Sequence, residues 1–366
     1  MVNESSGVAP TGGRWGGPGL QALAGPIVEG FAVETLEGLI FTIKGLLHPP
    51  DRLIAYLRYA PDPEGSRWRD GTQYRRLYHF DEQEAFLWAK HPDYLYEDPV
   101  FGLRLQGVPR TSVTRVFDPR ERLAALRCRG PSDPTEESVL EFDELVRDRA
   151  SLAPPADLGI SGSVMVDLHA PDSDIDFVVY GEDPSREVHK VLSGLLDGGA
   201  EAIRRPNARE LRALHAVHRV DTPLSFEAFR RMQGRKVNEL RFRGRETFLR
   251  FVRRPAEVGR KYGDVRYRHA GRTTIRARVV DADLAIFTPC RYGTSEVSVL
   301  EGFCVKDLRQ IVSFRGRFSD QAVCGEAIEA RGRVERVTPR NGGAVYQRLV
   351  VGGRQGDYLL AGEMAG

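Results

Sequence analysis

The chain has 366 residues, 41% hydrophobic and 28% charged, with a formal net charge of +2. That length allows two or three domains with their own cores, and the near-neutral balance excludes a general polyelectrolyte attraction to nucleic acid. No apolar run approaches the length of a membrane span, so a helical membrane protein is excluded as well. Only six of the 53 basic residues are lysine, a bias that a GC-rich genome explains as readily as phosphate binding does. Cys128, Cys290, Cys304 and Cys324 are widely separated and show no C-x-x-C spacing. They point away from zinc and toward reduced thiols in a cytoplasmic protein.

Residues 1–27 are Gly-, Ser- and Pro-rich, lack the basic start and apolar core of a signal peptide, and read as a disordered tail. Residues 28–130 read as a β-rich N-terminal domain. Phe31–Leu36 and Leu39–Ile43 flank Glu37-Gly38 as a hairpin, and Leu53–Leu57 forms the next strand. His48, ahead of Pro49-Pro50, reads as a turn residue held extended. Arg52, Arg58, Arg67, Arg69, Arg75 and Arg76 are interleaved with Tyr56, Tyr59, Trp68, Tyr74 and Tyr78. Such a pattern serves base stacking and phosphate binding, or equally a solvated sheet face with aromatic cross-strand pairs. Residues 80–94 are expected to be helical, and Asp118-Pro119 opens another helix.

Residues 131–262 form the predicted central domain. Asp133-Pro134-Thr135-Glu136 gives an N-cap, a proline at the first helical position and an acidic third position, with Val139, Leu140, Phe142 and Leu145 as the buried stripe and Pro154-Pro155 as the stop. The apolar strand Leu158–Ser161 then runs into Gly162-Ser163. Ten residues later come Asp174-Ile175-Asp176, opening the apolar strand Phe177–Tyr180. Side chains two apart on a strand share a face, so the two aspartates form a site for a hard divalent cation. A Gly-Ser turn into a helix leaves backbone N–H groups free for phosphate. A calcium loop over Asp172, Asp174 and Asp176 is rejected, because Phe177 stands where an EF-hand needs glycine.

The Gly-Ser turn, the spacer and the Asp-x-Asp strand together resemble the DNA polymerase β-like nucleotidyltransferase superfamily, over roughly residues 150–255. The fold class that follows is α+β: a mixed-sheet nucleotidyltransferase core flanked by the N-terminal β-rich domain and a C-terminal β domain. The resemblance implies Mg2+, or Mn2+ in its place, on Asp174 and Asp176, with Gly162, Ser163 and Ser173 toward the nucleoside triphosphate. It also implies a third carboxylate on the strand after the helices. Glu246 is best placed for it, Glu239 less so, and Asp281 or Asp283 belong to a later segment. The expected activity is transfer of an NMP to a hydroxyl of a macromolecule, RNA first among acceptors. The competing reading is a non-catalytic nucleic-acid-binding protein on a core that has lost its third carboxylate.

After the aspartates, Asp183-Pro184 is expected to cap a helix to about Leu196, with Val188, Val191, Leu192 and Leu195 on one face. Residues 207–219, dense in Arg209, Arg212, His215, His218 and Arg219, and residues 225–233 read as two more helices, and Glu246–Val252 as a strand. Residues 263–366 show short strands, among them Thr274–Val280, Ala285–Phe287, Glu296–Leu300, Gln310–Phe314, Ala327–Val337 and Tyr346–Val351, the last two joined across Asn341-Gly342-Gly343. They predict a small barrel or sandwich. Its Arg315-Gly316-Arg317 and Arg331-Gly332-Arg333 segments suit a phosphate backbone or simple solubility.

Overall fold

The computed structural model describes residues 26–151 and 157–362. The expected tail up to residue 25 and the Pro154-Pro155 stop lie outside them. Ile27, assigned to that tail, is buried in the N-terminal core.

The N-terminal unit is an eight-stranded antiparallel sheet with two helices: β1 (Ala32–Thr35), β2 (Ile40–Ile43), β3 (Arg52–Pro61), β4 (Arg67–Arg69), β5 (Thr72–Arg76), α1 (Phe80–Lys90), β6 (Leu95–Asp98), β7 (Leu103–Pro109), β8 (Val113–Phe117) and α2 (Pro119–Arg129). The order is β4-β5-β3-β2-β1-β8, with β7 joining β3 to β6. The β1–β2 hairpin forms where Glu37-Gly38 predicts it, because Gly38 supplies the positive φ of +75° that the turn needs. The helix expected to Tyr94 stops at Lys90, and a 3-10 turn at Pro92–Tyr94 replaces its end.

His48 lies in the irregular segment between β2 and β3, at the wall of a cavity it shares with Arg110 and Tyr262. Its Nδ1 accepts from the Ile54 N–H at 3.1 Å. Burial, reinforced by Arg110, pushes its pKa down to about 4. The unfolded chain therefore takes up a proton near pH 6.5 that the folded one refuses, and stability falls as pH drops from about 6.5 toward 4. In urea titrations across that window, His48→Asn, whose Oδ1 can replace Nδ1 as acceptor, should remove a loss of up to about 3 kcal/mol and flatten the profile.

The central unit runs α3 (Pro134–Ala150), β9 (Leu158–Ile160), α4 (Gly162–Met165), β10 (Ile175–Tyr180), α5 (Glu182–Asp197), β11 (Ile203–Arg204), α6 (Ala208–His218), α7 (Phe226–Gln233), β12 (Glu239–Phe242), β13 (Arg245–Val252) and α8 (Pro255–Val258). Its mixed sheet has the order β11-β12-β13-β10-β9, with β10 and β13 parallel. Asp133 caps α3 by accepting from Thr135 N at 2.8 Å and Glu136 N at 3.1 Å. Helical spacing buries Val139, Phe142, Val146 and Ala150, while Leu140 and Leu145 flank the stripe. The Phe142 ring lies 4.9 Å from Phe177 and 5.2 Å from Phe242, which fixes the helix across the sheet. Leu123 and Leu126 of α2 join the same core. α5 starts one residue before the expected Asp183 cap, from Gly181 at φ +105°.

The two faces of β10 have different neighbours. Ile175, Phe177 and Val179 enter the core under α3 and α5, whereas Val178 and Tyr180 pack into the core of the N-terminal sheet. The N-terminal unit thus lies directly on the face of the central sheet that carries the aspartates. The Tyr180 hydroxyl donates to the Glu29 carbonyl at 3.1 Å, and Arg250 on β13 pairs with the Glu29 carboxylate.

The C-terminal unit comprises β14 (Val265–Leu284), β15 (Cys290–Gly302), β16 (Leu308–Ser313), β17 (Ala327–Pro339), β18 (Tyr346–Val350) and β19 (Tyr358–Ala361). Pairing runs β14-β15-β16-β18-β17, and β17 returns to β14, so the ring closes. With β16 and β18 parallel and the other ring pairs antiparallel, this is a Greek-key barrel of the OB type. Closure settles the choice between barrel and sandwich. Residues 285–287, expected as a strand, are a turn with one bridge from Phe287 to Phe251. β19 was not foreseen. Among the described residues no helix is long and apolar enough to cross a membrane, and all four cysteines are free.

Candidate active site

The Gly-Ser turn and the Asp pair meet at one end of β9 and β10. The strands pair Ile160 with Phe177, and Ser161 N donates to the Asp176 carbonyl at 2.7 Å. The chain then turns sharply at Gly162, φ +65°, into the single turn of α4. The Asp176 carboxylate lies against the Gly162 Cα, so closely that a methyl there would overlap Oδ2. No other residue type permits both the backbone angle and that approach.

Asp174 precedes β10 and faces the same way as Asp176, with Ile175 between them pointing into the core. Burial and the neighbouring Asp174 charge raise the pKa of Asp176; Arg250, Arg58 and Arg76 pull it back. Two carboxylates in a desolvated corner resist ionising together, and a divalent cation relieves that repulsion. The donor set therefore fits Mg2+ or Mn2+.

Glu246 stands in register with Asp174. β10 and β13 pair Ile175 with Thr247, so the residue before each, Asp174 and Glu246, lies side by side on one face. Burial raises the pKa of Glu246, opposed by Arg241 and reinforced by Asp174 and Glu239. Arg241, its partner across β12–β13, holds the Glu246 carboxylate at 3.1 Å. The three carboxylates are accordingly not gathered into one tight cluster. Glu239 shares the face, but Gln233 and Lys236 occupy it. Asp281 is tied to Arg291 at 3.1 Å in the barrel, and Asp283 N bonds Asp281; neither lines the cleft.

The cleft is polar, open, about 600 Å³, and lined by Asp174, Glu246, Arg67, Arg76, Arg241 and Arg245 among others. The Ser173 hydroxyl lies in its wall but is engaged in a turn, accepting from Ala170 N at 2.8 Å. Ser163 sits on the first turn of α4 and is buried. Behind Asp176 the N-terminal unit closes the sheet face, and beside it Phe248 is covered by Gly316 of the barrel. The cleft is thus open at the strand ends; Asp176, Gly162 and Ser163 are not among the residues that line it, and the sheet face beyond Asp176 is covered.

Among the described residues one trio of ligating side chains has donor atoms within 4.8 Å of one another: Asp133, Glu136 and His169. Sequence reasoning did not assign it a metal, and most of its donors are already in use, although His169 Nδ1 is buried with no partner. Asp133 caps α3 and accepts from His169 Nε2 at 2.8 Å; Glu136 holds Arg122, Arg129 and the Ser132 N–H and hydroxyl. With Thr135 Oγ1 near the Ala170 and Pro171 carbonyls, this network positions the 169–173 turn that delivers Asp174.

An uncharacterized protein of Methanocaldococcus jannaschii is 29% identical over 330 residues, which cover 87% of this chain and 94% of its own. No solved structure matches the chain. A family match begins within α3, spans Gly162, Asp174 and Asp176, and ends before Glu246. That match is to the family described as nucleotidyltransferase domain, over residues 142–228, and is consistent with the polymerase β-like superfamily.

Proposed function

We propose that the protein is a Mg2+-dependent nucleotidyltransferase that moves an NMP from an NTP to a hydroxyl of a macromolecular acceptor, RNA first, releasing pyrophosphate. The observation that carries this reading is the Asp176 carboxylate packed on Gly162 and next to Asp174, which with Glu246 lines a polar cleft. Asp174 and Asp176 hold the metal in this reading, and Glu246 joins them once Arg241 releases it. When bound, the metal neutralises phosphate charge and lowers the pKa of the acceptor hydroxyl.

The chain's own residues bind and orient. Gly162 brings the backbone close enough for the outer phosphates to approach Asp176, and the Ser163 hydroxyl and N–H face them. Glu246 is the carboxylate nearest the open edge and accepts the acceptor's proton. The OB-type barrel beside the sheet supports nucleic acid as acceptor, and the covered sheet face beyond Asp176 favours a flexible chain terminus over a strand crossing the face. The position of Glu246 next to Asp174 supports a catalytic core over a degenerate one.

Mg2+ and NTP together should raise Tm, by about 2.7 kcal/mol of stabilisation at a hundredfold excess over Kd; a protein that only binds nucleic acid gains nothing from NTP. Glu246→Gln should cut kcat about 100-fold with little change in the KM for NTP, and Glu239→Gln should leave both near wild type. Steady-state kinetics on the two variants separate the candidates for third carboxylate.

A further inference from the structure

The arginines of the N-terminal sheet divide into two groups. Arg69 pairs with Glu34, and Arg75 pairs with Asp62 at 3.4 Å. Arg58, Arg67 and Arg76 have no carboxylate within ion-pair distance among the described residues, although Arg76 directly follows the paired Arg75 and Arg67 stands two residues before the paired Arg69. Arg67 and Arg76 reach the carboxylate site, and Arg58 shares the Tyr78 ring with Arg76 without lining the cleft itself. Arg67 and Arg76 line the cleft together with Asp174 and Glu246. Arg67 leans on the Leu168 carbonyl and the Ser173 hydroxyl, each at 3.4 Å, at the turn before Asp174. Arg58 and Arg76 lie over the same Tyr78 ring, at 4.9 and 5.4 Å from its centroid, and Arg76 stands opposite Tyr59 across β3–β5. The Arg76 Nε is buried with no partner.

Stacking two guanidiniums on one ring without a counter-anion is unfavourable by itself, since like charges repel and a buried donor goes unmet. An anion carrying several oxygens supplies what is missing. Carboxylates on one wall and unmatched guanidiniums on the other fit a polyphosphate whose metal-bearing side faces the acids and whose free oxygens face the arginines. We infer that Arg58, Arg67 and Arg76 form a clamp for the β- and γ-phosphates, and for the departing pyrophosphate, so that the N-terminal domain is half of the active site. This rests on the nucleotidyltransferase reading but assigns residues outside the matched family stretch.

The test is calorimetric titration of the full-length protein with inorganic tripolyphosphate and with pyrophosphate, each with Mg2+, alongside Arg58→Met, Arg76→Met and Arg76→Lys. Wild type should bind both anions. The methionine variants should bind about 10- to 100-fold more weakly with unchanged Tm, and the lysine variant should fall between. In turnover, KM for NTP and the inhibition constant of pyrophosphate should rise together, with kcat changed less. Equal binding by wild type and both methionine variants, with NMP transfer intact, overturns the clamp and leaves the transferase standing. Absence of both anion binding and NMP transfer in the wild type overturns the two together.

Discussion

Asp174→Asn and Asp176→Asn should each lower NMP transfer about 1,000-fold or more while leaving the protein folded. The amide keeps the shape of the side chain and removes the charge that the proposed metal needs. At Asp176 the fold has little to lose, because burial and Asp174 already disfavour its ionised form. A neutral isostere relieves that penalty, and Tm should be unchanged or slightly higher. Transfer from an α-labelled NTP, read beside a thermal melt, checks both halves. Full activity in either variant, or inactivity through unfolding, contradicts the assignment.

Gly162→Ala should be nearly as damaging by another route. At φ +65° an alanine costs about 1–2 kcal/mol. More important, its methyl would sit where the Asp176 carboxylate now lies. That carboxylate must turn away, and activity should fall about 100-fold or more, since catalytic groups tolerate little displacement. Gly199→Ala is the matched control. Its φ is +67° and nothing lies within 4 Å of the added carbon, so it carries the backbone strain alone. Stability should drop in both variants, more in Gly162→Ala because of the added overlap, and activity only in Gly162→Ala.

The parts of this site that were legible in the sequence are those with local causes. The two-residue period of a strand places Asp174 and Asp176 together, Gly162 marks the turn, and Asp133 with Pro134 announces α3. Glu246 could be named because it opens the strand after the helices. Its alignment with Asp174 needed the β10–β13 register, which is a long-range fact. The covering of the aspartate face by the N-terminal sheet was missed, though a signal existed. Phe177-Val178-Val179-Tyr180 is apolar on both faces, and such a strand is buried on both sides. Read that way, Val178 and Tyr180 foretell a partner layer on the carboxylate side. The interleaved arginines stayed ambiguous because side chains alternate along β3, β4 and β5, and only the pairing decides which find acids and which turn to the cleft. Residues 285–287 were misread because an Ala-Ile-Phe run serves equally as a strand or as a turn plugged into the neighbouring core.

The central claim is tested most directly by incubating the protein with each α-labelled NTP, Mg2+ or Mn2+, and total cellular RNA and protein. Label should move onto an acceptor in step with released pyrophosphate, depend on the metal, and disappear in Asp174→Asn. Label that stays wholly on free nucleotide across all four NTPs and both metals, from protein shown to be folded, would contradict the account.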